Sequence, residues 1–350
     1  MTTALASLID TGTKLWLDSV DPDEVTTNID RGITGATSNP AIISSLIKSG
    51  RFDETMQSML RDATDSSAAW MMCDYLVSKA QEQFQPIWER TGCNDGWVSF
   101  ELDPLIEDPE ANLPHEERVR RYISLGRYWC SGYTNRMIKV PATPAGLEAI
   151  ETMAADGLTL NVTLIFTERQ YKAARDAVWR GAQKRKDGLE RFKSVYSIFI
   201  SRVDVYTAKK VPGLGDEASK RMGLVNAKRL WADNEAFWAD KNLKLQQEII
   251  FASTGKKLDW QDEDYYPKHV AGGGIQTNPP ETNDAIAAGS ATYERTVDKL
   301  PDEAVLKELD EKVDLQAMED FLMEEGIEKF AKPQKALLDA VKQQRAQLTS

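Results

Sequence analysis

Met137-Ile138-Lys139-Val140-Pro141-Ala142-Thr143 is a short apolar run that carries one lysine near its carboxyl end and is stopped by proline. A run of this length bounded by a breaker is a buried strand rather than a helix. A lysine there is poorly placed for water, and burial favours the neutral form of an amine. A neutral amine in a dry pocket can attack a carbonyl carbon and form a Schiff base. Taken alone, the same run also fits a lysine whose stem lies along the strand and whose head reaches solvent. The rest of the chain decides between the two.

Seven further short runs resemble this one. The candidate strands are 14–18, 33–38, 97–101, 136–140, 158–164, 194–199, 248–252 and 268–271. Amphipathic stretches lie between most of them, at 68–89, 114–131, 168–186, 218–238 and 281–297. Eight strands alternating with helices predict a (β/α)8 TIM barrel, with a doubly wound open sheet as the rival. No GxGxxG follows the first strand and no GxxxxGK[ST] occurs, which weakens the nucleotide-binding forms of that rival. Gly272-Gly273-Gly274 and Thr277-Asn278-Pro279-Pro280 are expected to form a loop after the last strand. The charged tail at 302–347 has a helical pattern, so the expectation is one domain over 1–350: a barrel at about 13–298 with extra amino- and carboxyl-terminal helices. Gln261-Asp262-Glu263-Asp264 is expected to be a solvated loop.

With 350 residues the chain can bury a large core. Its net charge of −12 argues against nucleic acid and anionic membrane as partners. An anionic metabolite remains possible if a few cations gather in one pocket. Cys73, Cys93 and Cys130 are scattered, with no CxxC pair, as expected in a reducing compartment. His115 and His269 are the only histidines, so a zinc site built on several of them is not expected. No signal peptide and no long uncharged apolar stretch is seen, and a cytoplasmic location is expected.

The strand ends carry Asp18, Asn39, Glu101, Lys139, Asn161, Thr163, Ser197 and Ser253. In a barrel those ends converge on one face, where active sites sit. Each has a duller reading: Asp18 could cap a helix, Asn39-Pro40 could open a turn, and Ser197 could be a satisfied buried hydroxyl. Their joint occurrence, one or two to a strand around a lysine, favours a site.

The chain resembles the transaldolase family over nearly its whole length. The matching segments are Leu15-Trp16-Leu17-Asp18-Ser19, Thr37-Ser38-Asn39-Pro40-Ala41-Ile42, Val98-Ser99-Phe100-Glu101, Ile138-Lys139-Val140-Pro141-Ala142-Thr143, Asn161-Val162-Thr163-Leu164-Ile165-Phe166, Phe199-Ile200-Ser201-Arg202-Val203-Asp204 and Ala252-Ser253-Thr254-Gly255. The tail segment from Met318 to Phe330 is also similar to the family's carboxyl-terminal helices. The resemblance implies a cofactor-free reaction on sugar phosphates in the pentose phosphate pathway, and a monomer or homodimer. Lys139 would form the Schiff base, and Asp18 would exchange the proton of the C4 hydroxyl. Glu101 and Thr163 would hold a water for imine formation and hydrolysis. Asn39 and Asn161 would bind the dihydroxyacetone hydroxyls, with Ser197, Phe199 and Ser253 lining the pocket. Arg202 would grip the phosphate through its planar fork.

The second phosphate cation is open. Family members often continue Ser-Thr-Gly-Thr-Lys-Asn-Pro, whereas this chain has Ser253-Thr254-Gly255-Lys256-Lys257-Leu258-Asp259, so Lys256 and Lys257 are both candidates. Thr277-Asn278-Pro279-Pro280-Glu281-Thr282 differs from the usual Thr-Met-Pro-Glu-Ala-Thr. Ser194-Val195-Tyr196 replaces smaller residues, and Tyr196 is expected to face the helical layer. Two alternatives stand beside transfer. Fructose-6-phosphate aldolases are similar but much shorter, and typically carry Gln and Tyr where this chain has Glu101 and Phe199. A non-catalytic barrel would be expected to have lost Lys139, Glu101 or Asp18, and all three are present.

Overall fold

A computed structural model describes residues 3–348. Eight parallel strands close on themselves: β1 (Lys14–Leu17), β2 (Gly35–Thr37), β3 (Val98–Glu101), β4 (Arg136–Pro141), β5 (Leu160–Ile165), β6 (Ser194–Phe199), β7 (Glu248–Ala252) and β8 (Ile275–Asn278). Closure comes from β1 pairing with β8, with Lys14 opposite Ile275 and Leu17 opposite Asn278. The open-sheet rival is thereby excluded.

Successive side chains on a strand point to opposite faces. The outward set includes Leu15, Leu17, Val98, Phe100, Ile138, Val140, Val162, Ile198 and Phe251, and it packs with the surrounding helices into the main core. Tyr196 joins it: its hydroxyl accepts from Ser194 Oγ at 3.0 Å, and its ring stands edge-on to Tyr171 with centroids 5.4 Å apart. The inward set forms a separate plug of Trp16, Trp97, Met137, Val195, Ile250 and Ile275. Gly35 must lack a side chain here, because a Cβ would lie 2.6 Å from the Trp16 indole. Two residues further along the same strands the inward positions are Asp18, Thr37, Ser99, Lys139, Ser197, Ala252 and Thr277. The period of two therefore carries most of the strands from an apolar plug to a polar floor.

The eighth strand is not where the sequence pattern suggested. Lys268 and His269 belong to a one-turn helix, Tyr265–His269, and Gly272-Gly273-Gly274 is the turn into β8 instead of the loop after it. Gly272 and Gly274 have φ of +97° and +63°, where glycine is at ease. β8 is hard to see because it reads Ile-Gln-Thr-Asn. Two of its buried polar side chains have partners: Gln276 Nε2 donates to the Pro267 carbonyl at 2.9 Å, and Asn278 Oδ1 accepts from Thr254 Oγ1 at 2.6 Å. The acidic cluster is only partly solvated. Gln261 is buried, and its Oε1 accepts from the backbone N–H of Lys257 and Leu258 at 2.9 and 3.0 Å.

The last barrel helix stops at Ala288, short of the expected 297. The tail forms two helices, Glu303–Lys312 and Leu315–Leu348, and a short helix Ala4–Asp10 precedes β1. Leu309, Val313, Met318 and Leu322 of the tail pack with Leu164, Phe166 and Phe199 over the barrel's mouth. Gly326 comes within 3.2–3.4 Å of the Leu164 methyls, measured from an added Cβ, so the long helix lies flat on the end of β5. No described helix is long and apolar enough to cross a membrane.

Candidate active site

Strand register sets the centre of the site. Glu101 is opposite Lys139 across β3 and β4, and Lys139 is opposite Asn161 across β4 and β5. All three point inward, so they meet at one level. Lys139 Nζ lies 2.8 Å from Glu101 Oε2 and 3.4 Å from the Ser38 carbonyl oxygen. Both side chains are buried. Asn161 is clamped: its Nδ2 donates to Ser99 Oγ at 2.9 Å, and its Oδ1 accepts from Ser197 Oγ at 2.8 Å. Ser197 thus fixes which way the amide faces.

Lys139, Asn161 and Ser197 line a cavity of about 200 Å³ at the carboxyl ends of the strands, and Glu101 lies behind it in a small pocket shared with Thr163 and Phe330. Asp18, Asn39, Thr163, Phe199, Arg202, Ser253 and Lys257 share the larger cavity. Asp18 does not cap a helix; Asp21 caps Pro22–Asp30. Asn39 does cap: its Oδ1 accepts from the Ile42 N–H at 3.0 Å, which leaves its amide N–H groups for the cavity. Lys257 reaches the cavity, whereas Lys256 does not line it and lies 3.4 Å from Glu263. Arg202 is not tied to Asp204. Asp204 faces away and accepts from the Gly223 N–H at 2.6 Å.

Four cavity-lining groups hold buried polar atoms with no partner among the described residues: Thr37 Oγ1, Thr163 Oγ1, Thr277 Oγ1 and Arg202 Nη1. A buried polar group left unpaired is destabilising, so folded proteins rarely retain several together without a purpose. Two residues next to the site have backbone angles that side chains disfavour. Leu164, at a bulge in β5, has φ +57°, and Ser253, just past β7, has φ +59°. Ser253 Oγ and Ser201 Oγ are 2.7 Å apart, a link that sequence spacing did not suggest.

Lys139 and Glu101 are 6% and 8% exposed, and Asp18 is half-buried. Burial pushes Glu101 up to about 7, against the opposing pull of Lys139. Burial also raises Asp18, although Lys139, Lys257 and Arg202 all pull it down. Both carboxyls therefore stand closer to neutral pH, where they can give and take protons.

Sequence reasoning missed Phe330. It arrives from the carboxyl-terminal helix and covers the cavity, with Lys139 Nζ 5.5 Å from its ring centre and Arg202 Cζ 5.9 Å from it. Arg202 also lies over Phe199 at 4.9 Å. The helical pattern of the tail was legible, but nothing local marks one phenylalanine as a cover.

The chain matches the family model described as transaldolase/fructose-6-phosphate aldolase over residues 15–341. It is 30% identical to a protein named transaldolase from Thermobifida fusca, the alignment covering 99% of each chain. It is 32% identical to "Transaldolase 2" of Streptomyces coelicolor over 94% of each, and 30% identical to the transaldolase of Mycobacterium tuberculosis over 93% of each.

Proposed function

The chain belongs to the transaldolase/fructose-6-phosphate aldolase family, and from that membership and the arrangement at the barrel's mouth we propose that it transfers a dihydroxyacetone unit between sugar phosphates through a Schiff base on Lys139. The observation that carries this reading is the buried Lys139–Glu101 pair at 2.8 Å beside a cavity with unpartnered donors.

In this reading the Lys139 amine adds to the C2 carbonyl of a ketose phosphate. The carbinolamine loses water, with Glu101 and the Thr163 hydroxyl handling the protons, and an iminium ion remains. Asp18 takes the C4 hydroxyl proton. The C3–C4 bond breaks, an aldose phosphate leaves, and its former bonding pair is held as an enamine on the three-carbon unit. An acceptor aldehyde then takes that carbon, and Asp18 returns the proton. Asn39 and the clamped Asn161 hold the dihydroxyacetone hydroxyls. Arg202 and Lys257 hold the phosphate, the first as a fork and the second as a point charge. Phe330 keeps water from the enamine, which favours transfer over release of free dihydroxyacetone.

Borohydride reduction with fructose 6-phosphate should add a reduced three-carbon fragment at Lys139, read by mass spectrometry of the peptide. Lys139→Ala should lose both trapping and turnover. A fragment on another lysine, with Lys139 unmodified, rejects the mechanism. Rapid release of dihydroxyacetone without an acceptor aldehyde would instead identify an aldolase.

A further inference from the structure

Away from the barrel's mouth, four basic side chains surround a second cavity of about 190 Å³: Arg221, Lys228, His269 and Lys299. They come from three places in the chain. Arg221 and Lys228 lie at and within the helix Met222–Trp238, His269 ends the helix Tyr265–His269, and Lys299 precedes the helix Glu303–Lys312. No carboxylate lines the cavity among the described residues. In a chain of net charge −12, that concentration of one sign needs a reason.

The acids nearby are spent elsewhere or sit at the margin. Glu217 is 3.3 Å from Arg221, Glu294 is 3.8 Å from Lys299, and Asp298 is 2.8 Å from Arg295. Lys228 is the buried member, 8% exposed, and its Nζ donates to the Lys299 carbonyl oxygen at 2.6 Å. That bond uses one of three ammonium donors and supplies no countercharge. Burial, then the neighbouring Arg221, lower Lys228 to about 8, with only Asp298 opposing among its carboxylate neighbours. His269 is also held down, by burial first and then by Lys228, Arg221 and Lys268, while its Nδ1 lies 2.6 Å from the Tyr265 carbonyl oxygen. A buried cation without a countercharge, as Lys228 is, is destabilising unless something negative joins it.

We propose that this cavity is a second anion site, outside the barrel, which takes inorganic phosphate or a phosphate monoester. A dianion with several acceptor oxygens suits the donors of Arg221, Lys228 and Lys299 better than a single carboxylate would, and its charge would favour a second proton on His269. Of the remaining walls, Leu224, Val225, Leu300 and Pro301 are apolar and would lie against a short carbon tail, and Thr296 is the polar one. The inference does not rest on the chemistry assigned to Lys139.

The test compares melting temperatures of the full chain in inorganic phosphate and in chloride at matched ionic strength. Titration calorimetry follows with phosphate and with glycerol 3-phosphate. Wild type should melt higher in phosphate. Lys228→Met and Arg221→Met should each lose that gain and weaken binding about tenfold or more, the effect of one charge-assisted hydrogen bond. Because the barrel site would also bind phosphate through Arg202, these variants are compared in an Arg202→Ala background, in which the gain should remain. Tighter binding of glycerol 3-phosphate than of phosphate, lost in Lys228→Met, would identify an ester as the ligand. Lys299→Met carries the test if Lys228→Met does not fold. A gain retained in Lys228→Met and Arg221→Met, or lost in Arg202→Ala, overturns the proposal. A lowered melting temperature of Lys228→Met in chloride with its phosphate gain intact also overturns it, since Lys228 would then serve only to hold the Lys299 carbonyl.

Discussion

Two buried glutamates, one at each end of the barrel, face lysines and respond in opposite ways. At the amino-terminal end Glu248 sits 2.8 Å from Lys14 and also binds Lys193, while Lys14 reaches Asp95 at 2.9 Å. Burial by itself would raise Glu248, but two lysines overcome it and hold the carboxyl below its usual range. At the carboxyl-terminal end Glu101 has one lysine, and burial wins, leaving it at about 7. The difference is the number of countercharges. A closed network stabilises; a half-closed one keeps a proton available. Size does not make the distinction. The cavity at the amino-terminal end is larger, about 450 Å³, but its Lys14 and Glu248 already have partners.

The strongest way to break this comparison is at Asp18, the other raised carboxyl on the working side. Asp18→Asn should cut retro-aldol cleavage by about 10²–10⁴-fold, the usual worth of a general acid–base, while borohydride trapping on Lys139 persists. Loss of trapping together with binding would make Asp18 structural, and the two ends would differ less than argued.

Glu248→Gln probes the closed end. Removing one member of a buried network leaves Lys193 without its partner and should destabilise by about 3–5 kcal/mol near neutral pH, read by denaturant unfolding. A carboxyl held low contributes stability above the ordinary carboxylate range and loses it as pH falls through that lowered value. The wild-type advantage over Glu248→Gln should therefore shrink in acid. Trapping at Lys139 should be unchanged.

Arg202→Ala should lower kcat/KM on phosphorylated sugars by about 10- to 150-fold, with a much smaller loss on unphosphorylated analogues. Lys257→Ala should show a weaker loss of the same kind, and Lys256→Ala none. Equal losses on both substrate classes would assign Arg202 to stability, as at the other end.

The pH dependence of Glu101 sharpens the contrast itself. Glu101 in the folded chain stays protonated up to about 7, whereas an unperturbed glutamate ionises at 4.5. Its ionisation therefore removes stability as pH rises between those values. Glu101→Gln should escape that loss, so its melting temperature should gain on wild type from about pH 5 to 7 and then hold level. A gap independent of pH would mean that Lys139 controls Glu101 as fully as its lysines control Glu248.

The sequence alone determined the alternation of strands and helices and most of the site's floor, and the pairing of β1 with β8 decided closure. Strand alternation places Asp18, Glu101, Lys139, Asn161 and Ser197 inward whatever surrounds them, because a period of two is a local property of extended backbone. Apolar runs marked seven strands for the same reason. The eighth escaped because Gln276, Thr277 and Asn278 are polar, and only buried partners from Pro267 and Thr254 make that strand tolerable. Contacts between distant segments were likewise beyond local reading. Lys257 rather than Lys256 faces the cavity because Gln261 fixes the turn, and Phe330 covers Lys139 because the tail helix lies flat against Leu164 through Gly326. Above all, the sequence shows a glutamate and a lysine at each end of the barrel but not how many charges meet there. That number depends on which strands become neighbours, and it decides which carboxyl is held down and which stays ready to move a proton.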